Sequence, residues 1–262
     1  MHYNKVHLIY FSPTHTSAKI AYAIAEGLET DTFFETDITH EAPEHIENIE
    51  EELTIIAVPV YGGRVAETAI ERLQKFSAHN TPAVPVVVYG NRDYDDALKE
   101  LCDTVAKLGF IPVAAGAFIG EHSYSRENMP IAAGRPDAAD LQKATEFGKE
   151  IMKKVSSIQS LESISAVQVK GNFPYKQKGP STPQAPVTDN SLCTLCEYCI
   201  DICPTHAISV RDGEMFSNPE SCIKCCACVK DCPEGARTFD TPYTAMLHAN
   251  FSARKEPELF IK

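Results

Sequence analysis

From about residue 4 to residue 155, short apolar runs alternate with stretches of helical period. Residues 5–12 (KVHLIYFS) read as a strand, and residues 16–28 (TSAKIAYAIAEGL) as a helix with Ile20, Ala23, Ile24 and Leu28 on one face. Residues 31–39 (DTFFETDIT) form a weaker strand pattern. Residues 53–61 (LTIIAVPVY) are a continuous apolar strand, followed by a helix over 66–76 (AETAIERLQKF). Residues 83–90 (AVPVVVYG) are a third buried strand, and the helix over 94–109 (YDDALKELCDTVAKLG) stops at its glycine. Residues 112–120 (PVAAGAFIG) make a last strand and residues 137–155 a last helix. Strands that are apolar on both faces and separated by helices imply a parallel sheet covered on both sides. Five of them suit the doubly wound order 2-1-3-4-5.

The pattern breaks after residue 156. Residues 157–190 carry Pro174, Pro180, Pro183 and Pro186 among polar residues, the composition of an extended connector. Within it, residues 164–173 (ISAVQVKGNF) allow one extra strand on either side of the connector. Residues 191–240 hold eight regularly spaced cysteines, with Asp212-Gly213 between short β-prone runs as a hairpin signal. In the tail, residues 241–262, Thr241 is an N-cap candidate and Pro242 stands at the first helical position. A short helix is expected there, with Leu259, Phe260 and Ile261 packing back on the protein.

Charge and composition narrow the function. The chain has 262 residues, 44% of them apolar, with no apolar run long enough for a membrane span. The opening MHYNKVHLIYFS lacks the ordered regions of a signal peptide, so the ten cysteines are expected to be cytoplasmic and reduced. A net charge of -12 argues against a nucleic-acid binder. It fits either a solvated acidic surface or a protein steered toward a basic partner.

The cysteines follow one ruler twice, C-x2-C-x2-C-x3-C-P, at residues 193–204 and 222–233. Zinc sites use two separated pairs more often than two runs of four, so two [4Fe-4S] clusters are favoured over zinc or structural disulfides. This stretch of about 50 residues resembles the two-cluster bacterial ferredoxins, in which the fourth cysteine of each run serves the other cluster. The resemblance implies one cluster on Cys193, Cys196, Cys199 and Cys232, and a second on Cys222, Cys225, Cys228 and Cys203. Cys226 falls outside the ruler and reads as a packing residue. Cys102, beside Leu98, Leu101 and Val105, reads as a buried small hydrophobe.

In open parallel sheets ligands sit at the carboxyl ends of strands. After the first strand comes SPTHTS, residues 12–17, which opens a helix with four hydroxyls. A helix N-terminus with added hydroxyl donors makes a phosphate cradle, and equally makes an ordinary cap. No G-x-G-x-x-G or G-x-x-x-x-G-K-[ST] motif is present, which disfavours dinucleotide and ATP cradles. SPTHTS resembles the flavodoxin phosphate loop S/T-x-T-G-x-T, with Ser12, Thr14, Thr16 and Ser17 in the loop positions and His15 in place of glycine. PVYGGR (Pro59, Val60, Tyr61, Gly62, Gly63, Arg64) stands where flavodoxins place a loop against the flavin ring. GNRDY (Gly90, Asn91, Arg92, Asp93, Tyr94) resembles the flavodoxin G-D-x-x-Y loop, with Tyr94 at the ring-stacking position and Asn91 where aspartate is common. The resemblance implies FMN. The polar stretch over residues 120–137 is long for a connection and reads as a lid or a contact for the cysteine domain, with His122 and Arg126 as candidates.

Together these residues resemble the flavodoxin–ferredoxin fusion proteins of anaerobic microbes. That implies a flavodoxin-like α/β domain over residues 1–156 and a small α+β two-cluster ferredoxin-like domain over 191–240. It also implies electron transfer between two low-potential clusters and FMN, with ferredoxin-type proteins as donor or acceptor. Two other readings stay open. One is an FMN-dependent reductase of a small substrate, with a pocket lined by Tyr61, Arg64 and His122. The other is a redox sensor with structural clusters.

Overall fold

Nine-residue strands without a polar face need cover on both sides, and that requirement organises the first half of the chain. The computed structural model describes residues 3–30, 32–79, 81–161, 164, 167–179 and 182–261. β1 (Lys5–Tyr10), α1 (Thr16–Leu28), β2 (Thr32–Asp37), β3 (Glu47–Ile49) and β4 (Leu53–Tyr61) come first. β5 (Arg64–Val65), α2 (Glu67–Leu73), β6 (Phe76–Ala78), β7 (Thr81–Tyr89), α3 (Ala97–Lys107), β8 (Phe110–Pro112), β9 (Ala115–Ile119) and α4 (Ala138–Ser157) complete this half. The remainder holds β10 (Val187–Thr188), α5 (Tyr198–Asp201), β11 (Ile208–Arg211), β12 (Glu214–Ser217), α6 (Ala227–Lys230), β13 (Arg237–Thr238), α7 (Pro242–Phe251) and β14 (Glu258–Phe260).

The main sheet runs β2-β1-β4-β7-β9, all parallel, which is the order 2-1-3-4-5 of the flavodoxin-like fold. β7 is buried along its whole length and β4 over all but its last two residues. On one face Ile56, Val58 and Val87 pack with Ala69 and Leu73 of α2 and Leu98 and Leu101 of α3. On the other, Leu8, Ile55 and Val86 pack with Ile20 and Ile24 of α1 and Phe147 and Ile151 of α4. α1 and α4 approach backbone to backbone, because Gly27 and Gly148 face each other without side chains. α4 begins with a capping box in which the Asp137 carboxylate accepts from the backbone N–H groups of Ala139 and Asp140, and Asp140 reaches back to the Asp137 N–H. No described helix is long and apolar enough to cross a membrane.

Several elements differ from the sequence pattern. The helical period over residues 66–76 ends at Leu73, because residues 76–78 become β6 and pair with β3. Residues 164–173 supply no extra strand among the described residues; Ser165 and Ala166, like Pro180 of the connector, lie outside them. Val167 instead buries its side chain with the α3 face, and the backbone N–H groups of Asn172 and Lys176 donate to Asp96. The apolar tail does more than pack: β14 pairs antiparallel with β9 and becomes the edge strand of the sheet.

The α1–α4 contact gives a direct test. A Cβ on Gly148 would stand 2.1 Å from the Ile24 carbonyl oxygen. Gly148→Ala is expected to lower stability by about 1–3 kcal/mol in denaturant unfolding. Gly179→Ala, with nothing within 4 Å, should leave the midpoint in place. Equal midpoints for the two variants would mean that the helices do not meet this closely.

Candidate functional site

The two cysteine runs fold alike because their backbones bend at the same offsets. Leu195 and Glu197 have φ of 55° and 61°, and their counterparts Lys224 and Cys226 have 58° and 61°. Left-handed residues at alternate positions turn the chain into a concave loop whose N–H groups suit an anionic centre. Each loop then enters a one-turn helix, α5 or α6. Past the fourth cysteine, His206 and Gly235 repeat the device with φ of 50° and 59°. Asp212-Gly213 makes the β11–β12 turn with both residues at positive φ, the geometry of a tight hairpin.

Cys203, Cys222, Cys225 and Cys228 line one cavity, walled by Ala207, Ile208, Ile223 and Ala227. Four thiols in an apolar wall, with no carboxylate or imidazole among them, fit the soft, all-sulfur donor set of an iron–sulfur cluster. The backbone N–H of Ala207 donates to the Cys203 sulfur at 3.2 Å. Burial pushes the Cys225 thiol well up and the Cys228 thiol to about 11, so a bound cation has to take the place of their protons. Cys193 and Cys196 lie close enough to Cys199 for their charges to act on it. Cys196 is exposed, whereas Cys225, its counterpart, is buried. Cys226 also touches the cavity wall, but its thiol is directed at the Lys224 carbonyl and its counterpart in the first run is Glu197. Cys102 is buried in the α3 face, and burial raises its thiol to about 12.

The carboxyl edge of the sheet carries the second set of candidates. Ser12 braces the first loop, its hydroxyl accepting from the Ala18 N–H at 3.0 Å and its own N–H donating to the Thr39 hydroxyl at 2.8 Å. His15 occupies a left-handed position at φ 63°, which accounts for glycine in the related pattern. Its imidazole is exposed and meets Asp231 of the cysteine domain at 3.2 Å. The Ser17 hydroxyl is buried without a hydrogen-bond partner, while Thr14 and Thr16 are half-exposed. An orphaned hydroxyl at a helix N-terminus fits a phosphate oxygen that would complete it.

Pro59 and Val60 hold the next loop in shape, the Pro59 carbonyl accepting from the Ala66 N–H at 3.1 Å and Val60 pairing with Val65. Gly62 and Gly63 turn the chain at φ of 66° and 81°. Tyr61 is half-buried and has Cys225, Cys226 and Cys222 among its surrounding charges. Arg64 points elsewhere: its guanidinium pairs with Glu100 and donates to the Lys176 carbonyl at 2.9 Å.

In the third loop, Gly90 accommodates the His122 ring, which a Cβ would meet at 2.4 Å. Burial, then the charges of Lys230 and Arg92, hold the His122 imidazole down at about 4. Asn91 sits at φ 66° and gives its amide to the carbonyls of Phe251 and Ala253 in the tail. Arg92 pairs with Asp95, and Asp93 accepts from the Asp95 N–H. Tyr94 is only 2% exposed; its ring lies 5.4 Å from Tyr89 and its hydroxyl donates to Glu258. It therefore has no free face for ring stacking. The phosphate end of an FMN site fits these residues, and the Tyr94 wall does not.

Tyr124, which the sequence reading missed inside a polar stretch, takes an aromatic place at this edge. Its ring meets His122 edge-on at 5.0 Å and lies tilted against Phe239 at 5.3 Å, and the charges of Cys226, Cys222 and Cys225 act on it. The 120–137 stretch is thus a contact for the cysteine domain. Lys230 pairs with Glu121 at 2.6 Å and Arg126 with Asp240 at 2.8 Å. On the other side Arg72 donates to the Pro204 carbonyl at 2.6 Å, and Ile223 packs against the sheet core.

Residues 185–233 match the family model of the 4Fe-4S dicluster domain. A ferredoxin of Rickettsia felis is 36% identical over 55 residues, which is 20% of this chain and 50% of the relative. Hydrogenase-4 component A of Escherichia coli is 36% identical over 81 residues, 30% of this chain and 38% of the relative. The chain thus spans half or less of the length of these curated relatives. Among solved structures, a flavodoxin from the domain Archaea aligns with a TM-score of 0.36 at 16% identity, over 58% of this chain and 99% of that one. A Streptococcus pneumoniae flavodoxin aligns at 0.36 and 15%, over 54% and 95%.

The cavity separates two adjacent cysteines by experiment. Cys225→Ser is expected to remove about half the iron of anaerobically purified protein, since each cluster holds about four. Cys226→Ser should retain it. Equal iron loss in both would show that Cys226 is a ligand.

Proposed function

We propose that this chain, a flavodoxin-like sheet joined to a 4Fe-4S dicluster segment, transfers electrons between two [4Fe-4S] clusters and FMN held at the carboxyl edge of the sheet. The carrying observation is the position of Tyr61: it ends β4 at the carboxyl edge of the sheet, Ile223 of the second cysteine run packs against the same core cluster, and the charges of Cys225, Cys226 and Cys222 act on Tyr61. The clusters supply one-electron steps when bound, and a flavin supplies steps of one or two.

The chain's own residues divide the work. Ser12, Thr14, Thr16 and Ser17 offer hydroxyls and a helix N-terminus to the phosphate. Tyr61 and Tyr124, both half-buried, set aromatic rings where the sheet meets the cysteine domain. Cys222, Cys225 and Cys228, with Cys203, hold the inner cluster against that seam. Cys193, Cys196 and Cys199, with Cys232, hold the outer one, where the exposed Cys196 gives a redox partner protein access. A small-substrate pocket finds less support, because Arg64 is paired with Glu100 and His122 is packed on Gly90.

Cofactor content is the decisive measurement. Protein purified without oxygen is expected to carry about eight irons with matching sulfide, and about one extractable FMN. Iron without flavin would remove the sheet from the relay, and zinc without sulfide would overturn it. Thr14→Ala should weaken FMN binding by about 1–3 kcal/mol if its hydroxyl bonds the charged phosphate. Unchanged affinity would make the loop a helix cap only.

A further inference from the structure

The two cysteine runs part company at one buried position. After each fourth cysteine the chain reads C-P-x-x-A, ending at Ala207 and Ala236. The next residue is Ile208 in the first run and Arg237 in the second. Both are buried, at 6% and 3% exposure, and each begins a short strand, β11 or β13. An apolar residue needs no reason to be there. An arginine does, because an unpaired buried charge is costly.

Among the described residues no carboxylate pairs with Arg237. Its guanidinium donates to neutral oxygens, the Thr188 hydroxyl at 2.9 Å, the Ser217 hydroxyl at 2.5 Å and the Pro186 carbonyl at 3.4 Å. Its Nε is buried with no partner at all. Pro186 and Ser217, which accept from the guanidinium, line the cavity of Cys203, Cys222, Cys225 and Cys228, and the Arg237 charge acts on Cys228, Cys199 and Cys222. Cys199 and Cys228 are the third cysteines of the two runs, so the one guanidinium acts on a member of each donor set.

Resting on the electron-transfer reading above, we propose that Arg237 is a fixed counter-charge shared by the two clusters, raising the reduction potential of both and most of all that of the cluster bound by Cys228. A cluster ligated by four thiolates is anionic, and reduction adds one further negative charge without making or breaking a bond. A buried cation beside the sulfurs favours that reduced state, since net charge and hydrogen bonds to sulfur set the potential. The same charge explains why the second run tolerates an arginine where the first has isoleucine: bound clusters supply the missing anion. Arg237 acts through the ligands and is a positioning and tuning residue.

The test is a dithionite titration of the cluster-loaded full chain, followed by electron paramagnetic resonance. Arg237→Gln is expected to lower the reduction equilibrium of at least one cluster about tenfold, or about 59 mV for one electron. Arg237→Lys, which keeps the charge, should move it by clearly less. Ser217→Asp leaves the arginine in place and sets a carboxylate beside it, so it should lower the potentials as Arg237→Gln does. Unmoved potentials in loaded Arg237→Gln overturn the proposal. If that variant fails to load, unmoved potentials in loaded Ser217→Asp overturn it instead. Loss of iron from all three variants would make Arg237 a folding residue and likewise overturn it. A wild-type chain without iron would defeat the electron-transfer reading; a loaded chain with unmoved potentials defeats this inference alone.

Discussion

Five strands that run the same way deliver all their carboxyl ends to one edge of the sheet, and something has to cover that edge. In this chain the cover is the cysteine domain. Polar contacts such as Lys230–Glu121 at 2.6 Å and His15–Asp231 at 3.2 Å line the seam. Ile223, Tyr61 and Tyr124 give it an apolar and aromatic centre. The candidate phosphate loop, the glycine turn after β4 and the inner cysteine cavity thus share one boundary.

The loops at that boundary have something else in common. His15, Asn91, Leu195, Glu197, Lys224 and Cys226 all adopt left-handed backbone without being glycine. Such residues cost on the order of 1–3 kcal/mol each and persist where surrounding structure holds them. Here the surroundings are visible for Asn91, whose amide is tied to the tail, and for His15, whose ring reaches Asp231. In the cysteine runs the repetition of the same angles in both copies shows that the bend belongs to the loop and not to one side chain.

What the sequence made legible was whatever depends on near neighbours or on burial of a whole element. β4 spans residues 53–61 as its unbroken apolar run indicates, and α1 spans residues 16–28 as its period indicates. The Asp212-Gly213 turn needs only its own two residues. What stayed hidden depends on partners far along the chain. Tyr94 is tied to Glu258, 164 residues away, and Asn91 to Phe251, 160 residues away, so the 90–94 loop is bound to the tail. α2 ends early because β3 competes for residues 76–78. Tyr124 was hidden by polar neighbours. Arg237 was within reach of a sequence-only reading, by laying the second run over the first as far as residue 237.

The cysteine domain is anchored to the sheet at both of its ends. On the near side the connector is pinned along α3 through Asp96 and through the Tyr175 hydroxyl bonded to Asp103. On the far side the chain returns as β14 and joins β9. A domain hung on one flexible linker swings between docking stations and carries its charge like a shuttle. A domain sewn down at both margins keeps one station over the sheet, like a lid hinged and latched on opposite sides, and leaves only its outer surface open to the surroundings.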